Sequence, residues 1–477
     1  MSTVAKSTLA LTAALMLGRL FGFLREVLLA AKLGVSAEAD MAVLILTLPD
    51  FLITLLLAGG FSAALVPALR RAEGDDREVL FRYVATLALL VSLAVALVIA
   101  LYPAGVFRLL APALTAEAYT PHLLAMRLTA LSIPLAALSG VLGALLNARN
   151  IFFVVGLGTG VYNLVLCIVL FALPGGAALI LPLALGVLAA AVARTSMLLV
   201  NARPRLLPQW RAPAGADVRL LRLFVAGVLA VGITAAAQIL FRTVAGLAEP
   251  GALTAFSYGL KLFMLPLFLL FAPLATVLLP RFTDDMGATR LPAAALSVTL
   301  VLSGAVLAAG QVAGNDIARL ILYRGAMDEA GLAAVTIAAR WMFLALPFAA
   351  LELIAAARLN AVQRTGRVML DAAVALAIAG ALAIAVPALV LPAFVLFYAL
   401  AALLHLAAMP VPWVGILRWL SPMRLLLATA FLAGAYAFDR LVVPEGAVWL
   451  HAFAGLVIFC GVSAVWADKF RAVVRIR

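Results

Sequence analysis

The sequence predicts an all-α integral membrane protein of 14 transmembrane helices, built as two pseudo-symmetric six-helix lobes plus two C-terminal helices. Three observations predict it. Hydrophobic residues make up 67% of the chain, and its mean hydropathy is +1.20, more apolar surface than a soluble interior can hide. Laid over itself with Arg127 on Arg340, the chain falls into register. Residues 127–148 and 340–361 agree at 10 of 22 positions, Pro134 meeting Pro347 and Asn147 meeting Asn360. The same offset carries Pro67 onto Pro280. Cations, finally, fall on one side of the expected spans. With both termini placed inside, 22 Lys and Arg lie in inside segments, 5 in outside segments and 7 of the 34 within spans. Repeated halves in a chain this apolar are the usual design of a secondary transporter, with its substrate site between them.

Taken in order, span 1 (5–31) has Lys6 at its start, followed by an apolar stretch that runs without a cleavage motif into Arg19 and Arg25, so it reads as a retained first helix. Span 2 (37–69) holds Asp40, Pro49, Asp50, Gly59, Gly60 and Pro67. Spans 3 to 6 (79–103, 121–147, 151–173, 177–201) complete an N-lobe, 1–202. Residues 203–217, with Arg203-Pro204-Arg205, Pro208 and Pro213, read as a cytoplasmic inter-lobe linker. Spans 7 to 12 (218–246, 252–280, 291–313, 330–357, 367–389, 391–410) form a C-lobe, 218–412. Spans 13 and 14 (421–438, 444–467) and a basic tail make up 413–477, outside the repeat. Cys167 and Cys460 fall inside spans and read as small buried apolar residues. The net charge of +13 is thus mostly topological and calls for no nucleic acid.

Some charges stand where lipid should exclude them. Arg19 and Arg25 lie in span 1, Arg194 in span 6, Arg242 in span 7 and Lys261 in span 8. Each costs roughly 2.5–3.5 kcal/mol at mid-bilayer unless it faces water, a counter-charge or an anionic ligand. The buried acids are few: Glu26, Asp40, Asp50, Glu352 and Asp371. The interior therefore leans positive, which selects an anionic substrate group, and arginine is the best fork for phosphate oxygens. Local uses compete with this one. Arg25 or Arg19 could pair with Glu26, and Arg194 and Arg242 could snorkel to an interface, where Arg127 and Arg340 anchor. Glu352 is either a protonation site or a hydrogen-bonded neutral acid. Helix breakers coincide with these charges. Gly18 and Gly22 flank Arg19, and Pro266, Pro273 and Pro280 follow Lys261, as helices lining a cavity would require.

The run G-R-L-F-G-F-L-R-E from Gly18 to Glu26 is followed by A-D at 39–40, L-P-D at 48–50 and G-G-F-S-A-A-L-V-P from Gly59 to Pro67. With Leu146-Asn147, Asn163, Gln238-Ile239 and Y-G-L-K-L-F-M-L-P from Tyr258 to Pro266, it resembles the MurJ/MviN family. These are lipid II flippases of the multidrug/oligosaccharidyl-lipid/polysaccharide exporter superfamily. The resemblance implies a six-plus-six-plus-two fold that carries an undecaprenyl-pyrophosphate-linked glycan from the cytoplasmic to the outer leaflet by alternating access. It implies that Arg19 and Arg25 bind the pyrophosphate and that Lys261 stands in for a family arginine. Glu26, Asp40, Asp50, Arg194, Arg242 and Glu352 are then candidates for the cavity or its gating. The chain departs from the family pattern at Ile53 and Thr54, where the family has an arginine pair, and at Ala58 and Leu260, where it has acids.

The expected function is thus a flippase for lipid II in the bacterial inner membrane, with both termini cytoplasmic, acting as a monomer among membrane lipids. A flippase for an exopolysaccharide or O-antigen lipid-linked unit, or a drug/cation antiporter, would use the same fold. No P-loop, metal-ligand cluster or nucleophile–base motif suggests an enzyme or a cofactor. A coupling ion or the membrane potential is left to drive transport.

Overall fold

The computed structural model describes residues 3–205, 207–213, 218–284, 290–409 and 448–465. All regular structure among them is helical, with no strand, and eleven helices are long and apolar enough to cross a membrane. A helix stands at every expected span except the thirteenth, 421–438, which lies outside the described residues. The structure thus gives a multi-pass helical membrane fold, without the count of 14. Its exterior is apolar. On the third span Leu89, Leu90, Val91, Leu93, Leu97 and Val98 are exposed, as a lipid-facing surface requires.

The chain divides into two compact units. Unit 1 is Met1–Ile239 with Glu249–Thr254 and Gly325–Met327; the last segment joins through the Ala326 N–H, which donates to the Ala31 carbonyl at 2.8 Å. Its helices are α1 (Thr3–Leu33), α2 (Ala37–Ile53), α3 (Val66–Arg71), α4 (Gly74–Leu101), α5 (Pro103–Leu110), α6 (Ala116–Tyr119), α7 (Leu123–Ala130), α8 (Ser132–Ala148), α9 (Phe152–Ala172), α10 (Ile180–Ala202) and the first part of α11 (Val218–Ala245). Ser36 starts α2, its hydroxyl accepting from the Ala39 N–H at 3.1 Å. Between α2 and α3, residues Thr54–Leu65 wind as a wider π-helix containing Gly59-Gly60. The glycine pair of span 2 therefore marks a break in regular helix, of the kind that gathers at functional sites.

α1 packs along α9. The contact rests on Gly18, where an added Cβ would come within 3.3 Å of the Gly160 backbone nitrogen, and on Gly22, which faces Asn163. Asn163 Nδ2 donates to the Gly18 carbonyl at 3.3 Å and to that of Thr159 at 3.1 Å. Gly18→Leu is therefore expected to lower stability by about 1–3 kcal/mol through overpacking, and Gly18→Ala by less. Thermal retention of the folded protein in detergent would show the order.

Unit 2 holds the remaining described residues. It comprises the end of α11, α12 (Ala252–Pro266) from Ala255 on, α13 (Ala272–Asp284), α14 (Arg290–Leu322), α15 (Glu329–Ala361), α16 (Thr365–Ala385), α17 (Val390–Ala408) and α18 (Val448–Val465). A second π-helical turn, Leu267–Phe271, follows Pro266. Cys167 is buried and Cys460 is exposed on α18, so only the first meets the expectation of burial; both thiols are free.

The sequence repeat is written into the local geometry of each unit. The two π segments begin at Thr54 and Leu267, and α8 and α15 end at Ala148 and Ala361, each pair separated as Arg127 is from Arg340. Past those ends Asn150 and Gln363 take left-handed backbone, with φ of 61° and 60°. The Ile151 N–H donates to the Leu146 carbonyl and the Arg364 N–H to that of Leu359, both at 2.8 Å. α9 and α16 keep the same separation from start to finish. The next loop is shorter in unit 2, so α10 and α17 correspond with Leu181-Pro182 on Leu391-Pro392.

Candidate functional site

Unit 1 gathers four of the candidate residues into one buried cluster. Arg25 and Glu26 are neighbours on α1, pointing to different sides of that helix, yet they are only 3% and 5% exposed. Arg25 Nη2 donates to Glu26 Oε1 at 2.8 Å and to Asp50 Oδ2, on α2, at 3.0 Å. Asp50 keeps 39% of its side-chain surface, so the pair is open on the Asp50 side. Arg194 on α10 is 2% exposed and lies beside Gly158 of α9. Tyr162, also on α9 and buried, is within electrostatic range of Arg25, Arg194 and Asp50.

Local pairing of Arg25 with Glu26, one of the uses the sequence leaves open, is thus present, and Asp50 adds to it. Among the described residues of the cluster, two arginines meet two carboxylates. Their hydrogen bonds do not balance. Arg25 Nε and Nη1, Arg194 Nε and Nη2, and the Tyr162 hydroxyl are buried with no hydrogen-bond partner among the described residues. A stranded buried donor costs about 1–3 kcal/mol, and native proteins keep few of them. Five in one cluster make it rich in buried donors, a chemistry that suits oxyanions.

Other candidates stand elsewhere. Arg19, on α1, is exposed. Asp40 on α2 is 2% exposed and is spent on the chain at α12, accepting from the Gly251 N–H at 2.6 Å, the Thr254 N–H at 2.8 Å and the Thr254 hydroxyl at 2.6 Å. It caps the start of α12 from a different helix. In unit 2, Arg242 and Lys261 are half-buried, Lys261 preceding Pro266 and the π-helical turn. Glu352 on α15 faces His405 of α17, with Oε1 to Nδ1 at 3.7 Å. Asp371 pairs with Arg367 one turn earlier on α16, at 2.8 Å.

Sequence reasoning passed over Tyr162, Thr254 and His405, and counted Arg358 among the cytoplasmic cations. Arg358 is 2% exposed; its Nη1 donates to the Phe282 carbonyl at 2.8 Å and its guanidinium lies 5.7 Å from that ring's centre. Other basic residues of the expected inside segments close helix ends. Arg70 donates to the Asn147 carbonyl at the end of α8, Arg149 to that of Ala202 at the end of α10, and Arg364 to that of Ala408 at the end of α17.

The family model described as "Lipid II flippase MurJ" matches residues 29–464. A probable lipid II flippase MurJ of Rhizobium meliloti (strain 1021) is 28% identical over 337 residues, covering 64% of this chain and 61% of its own length. A counterpart from Aquifex aeolicus (strain VF5) is 24% identical over 311 residues, with the same coverages of 64% and 61%. The chain thus spans about three fifths of the length of the curated relatives it matches. Among solved structures, "Lipid II flippase MurJ, inward closed conformation" superposes with a TM-score of 0.82 at 19% identity, over 98% of this chain and 99% of that one. An inward-facing multidrug resistance MATE family transporter of the MOP superfamily superposes with a TM-score of 0.57 at 14% identity, over 98% of each chain. These likenesses establish the fold.

Proposed function

The chain belongs to the lipid II flippase MurJ family, and from that premise we propose that it carries lipid II across the inner membrane, from the cytoplasmic to the outer leaflet, by alternating access. The observation that carries the reading is the buried Arg25, with donors left over after Glu26 and Asp50 have been served. A pyrophosphate brings more acceptor oxygens than Asp50 offers. It can take the open side of Arg25 from that carboxylate while Glu26 stays in place.

We assign pyrophosphate binding to Arg19, Arg25 and Lys261, with Arg194 and Tyr162 as further donors behind Arg25. Lys261 supplies a point charge where a guanidinium would supply a fork. Asp40, Asp50, Arg242 and Glu352 remain cavity or gating residues. The lobes are taken as 1–202 and 218–412, with 413–477 as an appendage and both termini cytoplasmic. The protein acts as a monomer, and no catalytic step is part of the cycle.

The test is rescue of a strain depleted of its own lipid II flippase. Expression of this chain restores growth and cell shape, and Arg19→Ala weakens the rescue. Failure of the correctly inserted wild-type chain, together with loss of a surface polysaccharide in its own deletion strain, would transfer the reading to another lipid-linked glycan.

A further inference from the structure

Unit 2 holds an acid–base pair, Glu352 and His405, to which the transport reading gives no chemical role beyond placing Glu352 among the cavity or gating residues. Glu352 Oε1 on α15 lies 3.7 Å from His405 Nδ1 on α17. His405 is fully enclosed, whereas Glu352 keeps 19% of its side-chain surface. On the other edge of the ring, Nε2 is 3.2 Å from the Val368 carbonyl. A carbonyl only accepts, so Nε2 carries the hydrogen. A neutral ring then turns the lone pair of Nδ1 toward the carboxyl group, and Nδ1 has no hydrogen-bond partner among the described residues. A carboxylate is an acceptor too. Two acceptors face each other unless a proton lies between them, on the acid or on the ring. The 3.7 Å gap is slightly longer than a direct hydrogen bond, and a small rotation or one water closes it.

The surroundings make one proton the neutral state. α16 contributes Arg367 and Asp371, paired with each other at 2.8 Å, and both within electrostatic range of His405. On α15 itself Arg358 is turned to the Phe282 carbonyl. α13 and α14 also pack on α15. Their ionisable residues, Arg281 and Asp284 on one and Arg290, Asp316 and Arg319 on the other, lie toward the helix ends. With the Arg367–Asp371 pair summing to zero, Glu352 and His405 carry one negative charge without a proton, none with one, and one positive charge with two.

The repeat supplies the control. With α8 laid on α15 by their shared ends at Ala148 and Ala361, Glu352 corresponds to Ser139. With α10 laid on α17 by their starts at Ile180 and Val390, His405 corresponds to Thr195. Those two hydroxyls bond directly, Oγ to Oγ1 at 2.8 Å, buried between the same two helices of unit 1. The fold therefore closes this position with uncharged side chains in one half and with titratable ones in the other.

We propose that Glu352 and His405 form a one-proton binding site. A proton delivered by water reaches the carboxylate of Glu352 from its open side, and His405 Nδ1 accepts the hydrogen bond that holds it there. Release reverses the step and leaves a carboxylate. We further assign this exchange as the ion coupling of transport; that part rests on the flippase reading.

The test uses the full-length protein in nanodiscs, with nitrogen-15 in its histidines. His405→Gln identifies the His405 signals among those of His122 and His451. Across about pH 5 to 9, where imidazoles exchange protons, wild-type Nδ1 reports a shared proton, and Glu352→Gln moves the titration by about a unit or more. A His405 titration identical in wild type and Glu352→Gln overturns the site. In proteoliposomes an imposed pH gradient changes the rate of lipid II movement by wild type, and Glu352→Gln removes that response. Movement indifferent to the gradient overturns the coupling and leaves the flippase reading standing. A shared proton in a wild-type protein that moves no lipid II sinks the flippase reading and keeps the site.

Discussion

Arg25→Ala abolishes rescue of a flippase-depleted strain. Arg25 is the buried cation that Glu26 and Asp50 hold from two helices, and its remaining donors are the proposed grip on the pyrophosphate. Truncating one partner of a buried charged contact costs about 2–5 kcal/mol of binding, on the order of 100-fold in affinity or more. The single variant also breaks the buried Arg25–Glu26 contact, and removing one partner of a buried ion pair costs about 3–5 kcal/mol of stability. Loss of growth alone would therefore not separate fold from function. The double variant Arg25→Gln/Glu26→Gln removes the pair together, keeps the volume and leaves polar groups that can bond to each other. It is expected to insert and fold while rescue stays lost. Restored growth in the double variant would show that Arg25 serves only to neutralise Glu26.

The second large effect belongs to Asp40. Its carboxylate takes three hydrogen bonds from Gly251 and Thr254, which unit 1 includes although they lie far along the chain from the rest of it. Asp40→Ala strands two backbone donors and one hydroxyl. At about 1–3 kcal/mol for each buried donor, the loss is on the order of 3 kcal/mol or more. Thr254→Val removes only the hydroxyl and should cost about 1 kcal/mol. Asp40→Asn keeps one acceptor oxygen and should fall between the two. Resistance to protease over a temperature ramp, followed at cleavage near residue 250, gives the order. Asp40→Ala as stable as Thr254→Val would show that the carboxylate is solvated and not holding the turn.

Much of the architecture was legible because lipid imposes simple rules. Apolar runs had to be helices, and Arg, Pro and Asn kept register between the two halves through positions where Ala and Leu carry no signal. The glycine pair at 59–60 and Pro266 foretold breaks, and the chain winds as π-helix at the first and directly after the second. Asp50 was legible as an acid in a span and Arg194 as a misplaced cation, but not as parts of one cluster, because nothing along a single chain records which helices meet. Tyr162 gave no signal among other aromatic residues of an apolar helix. His405 was hidden by the shortening of one loop. At the single offset that aligns Arg127 with Arg340 the histidine has no meaningful partner, and only the helix starts at Ile180 and Val390 reveal that it answers Thr195.

The proposed transport depends above all on the guanidinium of Arg25 holding a diphosphate. The direct measurement is retention of lipid II by the purified protein in native mass spectrometry, with inorganic pyrophosphate as competitor. Wild type should keep a lipid II adduct that pyrophosphate displaces, and Arg25→Gln/Glu26→Gln should lose it. An adduct of equal strength in both proteins, indifferent to pyrophosphate, would contradict the account.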